Sequence, residues 1–187
     1  MNPISKFHRL SLRGKAGIAM AILASGIFYL GKFLVNGFAS GEGGVAFLPI
    51  SFFEILLAVI LTAGILLSYA ILNFINKKRL KNRSSWSQNA KSIRIQFFSY
   101  NLLGLLSIFL LLHFGKIKLI IPLLLFLFAG FTYNIRKKTT GKSEYLTVLA
   151  MLAAALTYFY DTWQFYIAIT YFSVGILWYS LWPFQSK

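Results

Sequence analysis

Apolar residues occur along this chain in six long runs, and the charged residues stand almost entirely between them. The runs occupy residues 16–35, 50–74, 95–114, 118–134, 145–160 and 163–182. A hydrocarbon core ~30 Å thick is crossed by about 20 apolar residues of helix rising ~1.5 Å each. The pattern therefore predicts an all-α fold, an integral membrane bundle of six transmembrane helices forming one domain. Runs four and five are the shortest, at roughly 24 Å of helix. The alternative is four crossings with these two runs buried at the periphery. The links "HFGKIK" and "DTW" are tight and predict two antiparallel helical hairpins.

Helical periodicity gives four of the runs a stripe of small and polar residues on an otherwise Leu, Ile and Phe surface. In the first run it is Gly17, Ala21, Ser25, Tyr29 and Lys32; in the second, Glu54, Ala58, Thr62, Tyr69 and Asn73. In the fifth it is Thr147, Ala150, Ala154, Thr157, Tyr158 and Asp161; in the sixth, Gln164, Ala168, Tyr171, Gly175 and Tyr179. Small residues let membrane helices approach closely, and polar ones avoid lipid. Gly17, Ala21, Ser25, Ala58, Ala150, Ala154 and Gly175 are expected at helix contacts, and a shared polar cavity is the sharper reading.

Charge fixes the expected orientation. The 187 residues include 19 Lys and Arg against 4 Asp and Glu, a net charge of +15. On a soluble protein that balance would suggest nucleic acid. Here 58% of residues are hydrophobic, only 12% are charged and mean hydropathy is +0.69. Six crossings put both ends on one side, and sixteen of the 19 basic residues then share that side. Basic residues collect on the cytoplasmic face. The stretch "NKKRLKNRSSWSQNAKSIR" carries Lys77, Lys78, Arg79, Lys81, Arg83, Lys91 and Arg94 and no acidic residue. It is read as a cytoplasmic loop beside anionic headgroups, where each basic residue contributes ~1 kcal/mol. Lipid bilayer and membrane-protein partners are expected, and nucleic acid is not. The first run is longer than the 7–15 apolar residues usual in a signal peptide, so it is read as an uncleaved span.

Lys32 and Glu54 are the charges that most need partners. They lie ~6 Å and ~7 Å inside the outer ends of the first two spans, at matching depth, and an ion pair between them is expected. Asp161, His113 and Gln164 fall at the same rim, and with Lys32 and Glu54 they form a candidate outward-facing binding pocket. The Gly-rich segment before the second span lacks the GxxxxGK[ST] pattern of a phosphate loop and is read as a flexible connection.

Little catalytic chemistry is open to this chain. It has no Cys, its histidines are His8 and His113, and its acidic residues are Glu42, Glu54, Glu144 and Asp161. Disulfides, thiol catalysis, HExxH zinc sites and Asp-rich magnesium–diphosphate sites are excluded. No catalytic residue, metal or cofactor is expected. Length, six spans and a first helix rich in small residues resemble, in layout and without a shared motif, the substrate-binding membrane subunits of bacterial vitamin uptake systems. That layout implies a non-catalytic transporter component of a bacterial inner membrane, binding a small solute or lipid. An accessory or assembly subunit of a larger membrane complex and a small lipid-modifying enzyme are the alternatives.

Overall fold

A computed structural model describes residues 12, 14–40, 49–79, 88–136 and 143–181. Among them are six helices and no strand. They are α1 (Lys15–Ser40), α2 (Ile50–Arg79), α3 (Gln88–His113), α4 (Ile120–Ile135), α5 (Glu144–Phe159) and α6 (164–181). Short 3-10 turns, Ile117–Leu119 and Asp161–Trp163, lead into α4 and α6. The stretches Lys15–Phe38, Ile55–Asn76, Lys91–His113, Ile117–Ile135 and Asp161–Leu181 are long and apolar enough to cross a membrane, while Glu144–Phe159 is shorter.

Helix ends depart from the apolar runs in an informative way. α2 continues through Lys77, Lys78 and Arg79, and α3 begins at Gln88, seven residues before its apolar run. Lys77–Arg79, Lys91 and Arg94 therefore stand on helices, which corrects the single-loop reading of the basic stretch. Lys and Arg are good helix formers, so the helix does not stop where hydropathy does. Lys81 and Arg83, and the side chains of Lys77, Lys78 and Arg79, lie outside the described part.

The α3–α4 hairpin is closed by a glycine. Gly115 has φ +67°; its N–H donates to Leu112 O (2.9 Å), and Lys116 N–H donates to Leu111 O (2.7 Å). These two bonds satisfy carbonyls that the helix end leaves open, and the left-handed residue between them favours glycine. Pro122 sits in the first turn of α4, where no intrahelical N–H is lost.

The first and last described segments meet. Gly14 N–H donates to Ser180 O (3.1 Å), and Ser180 Oγ lies 3.0 Å from Leu12 O. Gly17 is obligatory at this approach, because a Cβ there would overlap both Leu12 O and Ser180 Oγ. The start of α1 and the end of α6 thus share one end of the bundle, as alternating helix directions require.

Burial follows the small-residue stripes on three helices. Gly17 and Ala21 on α1 are buried, with Ser25 half-buried. Thr147, Ala150, Ala154 and Thr157 on α5 are buried, as are Gln164, Ala168, Tyr171 and Tyr179 on α6; Gly175 is half-buried. Tyr29 and Tyr158 point outward instead, at 67% and 62% exposure. The α2 stripe is displaced. Thr62 is exposed, its hydroxyl donating to Ala58 O of its own helix (2.7 Å), and Ala58, Tyr69 and Asn73 are half-buried. The buried face of α2 is Phe53, Leu57, Gly64, Ser68, Leu72 and Asn76. A threonine that satisfies its hydroxyl locally has no need to face protein.

Candidate functional site

Three apolar clusters hold the bundle. One joins α1, α4, α5 and α6 through Ala21, Leu125, Ala129, Leu146, Ala150 and Ile176. A second, at the end where the start of α1 meets the end of α6, contains Ala16, Leu72, Ile93, Phe97, Phe131 and Ile135. A third, at the opposite end, contains Leu34, Phe53, Leu57, Ile108 and Leu112. Between the second and third lies a cavity of about 260 Å³. It shares Phe97 and Phe131 with one cluster and Leu57 and Ile108 with the other.

Each wall is one face of a helix. α1 gives Met20, Ala24, Ile27, Gly31 and Val35, spaced three or four residues apart. α2 gives Leu57, Leu61, Gly64 and Ser68; α3 gives Tyr100, Asn101, Gly104 and Ile108; α4 gives Ile121, Leu124 and Phe128. α6 closes the ring with Gln164, Phe165 and Phe172. Three mid-helix glycines, Gly31, Gly64 and Gly104, stand on these walls. A Cβ at Gly104 would make ordinary contact with Leu124 (3.4 Å), and one at Gly64 would press on the end of Ile27 (2.6 Å).

A π-turn, Tyr171–Gly175, interrupts α6 beside this cavity. The wider turn lets two consecutive aromatics be buried in different directions. Tyr171 OH donates to Leu146 O on α5 (3.1 Å), whereas Phe172 lines the cavity and stacks on Phe28 at 4.9 Å between ring centroids.

The polar groups on the wall are mostly satisfied by the protein. Ser68 Oγ donates to Gly64 O (2.7 Å) and Asn101 Nδ2 to Phe97 O (2.7 Å). Tyr100 OH accepts a bond from Asn134 Nδ2. Gln164 is different: it is buried, and its Oε1 has no hydrogen-bond partner. No charged side chain stands among the described residues of the lining.

Of the residues expected to form a charged rim pocket, Lys32, Asp161 and His113 each take a separate neighbour. Lys32 Nζ donates to Tyr166 OH and lies 3.7 Å from the centroid of that ring, an α1–α6 contact that the α1–α2 pairing did not anticipate. The Glu54 side chain lies outside the described part. Asp161 pairs with Lys118 across the two hairpin links, both exposed, at 44% and 77%. His113 is exposed, its ring edge-on to Phe114 at 5.6 Å. Of the four whose side chains are described, Gln164 alone lines the cavity. Sequence reasoning missed Gly64, Ser68, Tyr100, Asn101 and Gly104. Their signal was present: Gly64 and Ser68 are four residues apart, and Tyr100 and Asn101 lie within one turn of Gly104.

The site offers shape and apolar contact. No described cluster of three or more His, Asp or Glu could hold a metal ion. Compared with protein families, with curated proteins and with solved structures, the chain matches none.

Proposed function

We propose that this chain is a multi-pass membrane protein that binds a small, mostly apolar molecule between α1, α2, α3, α4 and α6, as a non-catalytic component of transport. The observation that carries this reading is the cavity itself. Its 260 Å³ exceeds the ~150 Å³ that accommodates benzene in an apolar protein interior and approaches the ~300 Å³ lower bound of ordinary ligand sites. That is room for one ring system or one chain segment, and too little for a two-chain lipid. The space is partly open to the outside, so a small apolar molecule has a way in and is largely surrounded by apolar side chains once there. An uncharged lining argues against an ion pathway here, because a bare charge in an apolar site pays heavily for desolvation.

Filling the cavity from Gly104 tests the reading. Its side-chain direction meets only Leu124 and Leu127, at 3.4 and 3.8 Å. Wild-type protein purified in mild detergent should carry a low-mass apolar compound by native mass spectrometry, and Gly104→Leu should lack it. A wild type that carries no such compound and gains no thermal stability from small apolar probes ends the proposal.

The same reading places both ends of the chain on the cytoplasmic side of a bacterial inner membrane. The 16-to-3 division of basic residues supports that orientation, as do large apolar side chains exposed on outer faces, such as Ile22 and Phe33, both at 68%. Soluble monomers seldom expose continuous apolar patches beyond a few hundred Å². In this Cys-free chain, Gly43→Cys should react with an impermeant label in intact cells, and Ser85→Cys and Thr140→Cys should not. External labelling of Ser85→Cys reverses the orientation.

A further inference from the structure

We infer that the cavity is entered sideways from the bilayer, through the seam between α2 and α3, by one unbranched alkyl chain, that of a single-chain lipid. The inference rests on the binding reading above and specifies both ligand and route. Along the bundle axis the cavity is closed. At one end Leu72, Ile93, Phe97 and Phe131 pack together, with Met20 and Tyr100 against them. At the other Phe53, Leu57, Ile108 and Leu112 do so, and Phe38 stacks on Phe53 at 4.2 Å between ring centroids.

Four of the five seams around the cavity are bridged beside it. Ile27 of α1 reaches into the place of a Cβ at Gly64 of α2, and Leu124 and Leu127 of α4 stand at contact distance from one at Gly104 of α3. Phe172 of α6 packs on Phe28 of α1 at 4.9 Å and on Phe128 of α4 at 5.4 Å. α2 and α3 are tied towards their ends instead. Tyr69 lies against Phe98 at 5.1 Å, and Leu57 shares a cluster with Ile108. Leu57, Leu61, Ile65 and Tyr69 follow one another along one face of α2, as Phe98, Asn101, Leu105 and Ile108 do along α3. Between the two ties, Leu61 and Ile65 therefore face Asn101 and Leu105. All four line the cavity, and all four are half-buried.

Shape and depth name the ligand. The lining runs from Leu57 to Ser68 on α2 and from Ile120 to Phe131 on α4, ~16 Å of each helix at ~1.5 Å per residue. Spread over that height, 260 Å³ is long and narrow, the shape of an extended chain. The open part of the seam lies near the middle of the apolar stretches Ile55–Asn76 and Lys91–His113. The bilayer there holds hydrocarbon and no water. A headgroup anchored at the interface is ~15 Å away, half the hydrocarbon thickness. A chain tied to such a headgroup uses its length in reaching the seam, whereas a single-chain lipid with a small headgroup is free to enter.

The test uses three photoreactive probes in phosphatidylcholine vesicles that hold the full chain. They are an unbranched fatty alcohol with a diazirine at its methyl end, adamantane diazirine, and a phosphatidylcholine with a diazirine at the end of one chain. Peptide mass spectrometry reads labelling of the buried wall residues Ile121 and Phe172 relative to the exposed Leu66 and Leu102. That ratio cancels differences in insertion and partitioning. In wild type the fatty alcohol alone should label Ile121 and Phe172. Ile65→Trp and Leu105→Trp, which narrow the seam from either side, should lose that labelling and keep it at Leu66 and Leu102. Leu105→Phe is the milder form where a tryptophan disturbs insertion. Undiminished wall labelling in the seam variants overturns the route. Wall labelling by adamantane diazirine as strong as by the alcohol overturns the chain, and equal labelling by the two-chain lipid overturns the single-chain source; the cavity then remains a binding site. Wall labelling by no probe would overturn the binding reading and this inference together.

Discussion

On one side of the bundle, α4 and α5 meet through Ala129, Leu125, Leu146, Ala150, Ala153 and Ala154, within one continuous apolar cluster. Their hydroxyls touch as well, Thr132 Oγ1 lying 2.9 Å from Thr147 Oγ1. On the other side, α2 and α3 present Leu57, Leu61, Gly64, Gly104, Leu105 and Ile108 to a common space that they do not fill. Both sides use small residues, with opposite results. Alanines on α5 face alanine and leucine on α4, so the helices close up, as membrane helices do at small-residue contacts. Gly64 and Gly104 instead lie among Ile, Leu and Phe: Ile27 reaches into the place of a Cβ at Gly64, Leu124 and Leu127 stand at contact distance from one at Gly104, and the space lies beside them. A run of small residues on one helix builds a scaffold; isolated glycines among large neighbours build a site. α5, the helix with the shortest apolar span, contributes nothing to the cavity lining.

The largest effect expected from this contrast is a pair of substitutions that add leucine to each side. Ala150 is fully buried, and Ala150→Leu should destabilise by ~1–3 kcal/mol through overpacking. Gly104→Leu should be neutral or stabilising, because it fills open volume and replaces a mid-helix glycine that costs up to ~1 kcal/mol. Thermal unfolding monitored by circular dichroism in one detergent would compare them. Equal losses in the two variants would mean that the α2–α3 side is as full as the α4–α5 side.

The scaffold was more legible in the sequence than the site, for a physical reason. Helices were readable from apolar length, and the packed faces of α1, α5 and α6 from Gly17, Ala21, Ala150, Ala154 and Ala168, because small residues that recur at helical spacing let helices approach closely. The cavity was not readable. Ile27, Leu61, Leu105, Ile121 and Phe128 line it, and the same residue types face outward at Ile22, Leu66, Leu102 and Phe126. Apolar side chains cover both faces of these helices, so hydrophobicity does not separate inside from outside here. Of the rim residues singled out for their polarity, Gln164 reached the site because its face of α6 also carries Ala168 and Tyr171. Lys32, Asp161 and His113 instead met Tyr166, Lys118 and Phe114. Polarity near a helix end marks the rim, and only its coincidence with a buried face marks a site.

The smallest expected effect tests whether the closed side is held by shape or by its hydroxyl contact. Thr132 and Thr147 are both buried. Each also has an acceptor on its own helix: Thr132 Oγ1 is 3.0 Å from Ala129 O, and Thr147 Oγ1 is 3.3 Å from Ser143 O. Removing one hydroxyl therefore leaves the other satisfied locally, and little is lost beyond the interhelical bond. Valine keeps the branched shape, so a cycle of Thr132→Val, Thr147→Val and the double variant isolates that bond. Its coupling should be ~0.6 kcal/mol, the average for such contacts between membrane helices. Neither threonine lines the cavity, so a small apolar probe that stabilises wild type should stabilise all three variants equally. A coupling near zero would leave the alanine contacts alone in holding α4 to α5. Loss of probe binding in the valine variants would show that the two sides of the bundle are not independent, and the division between scaffold and site would have to be redrawn.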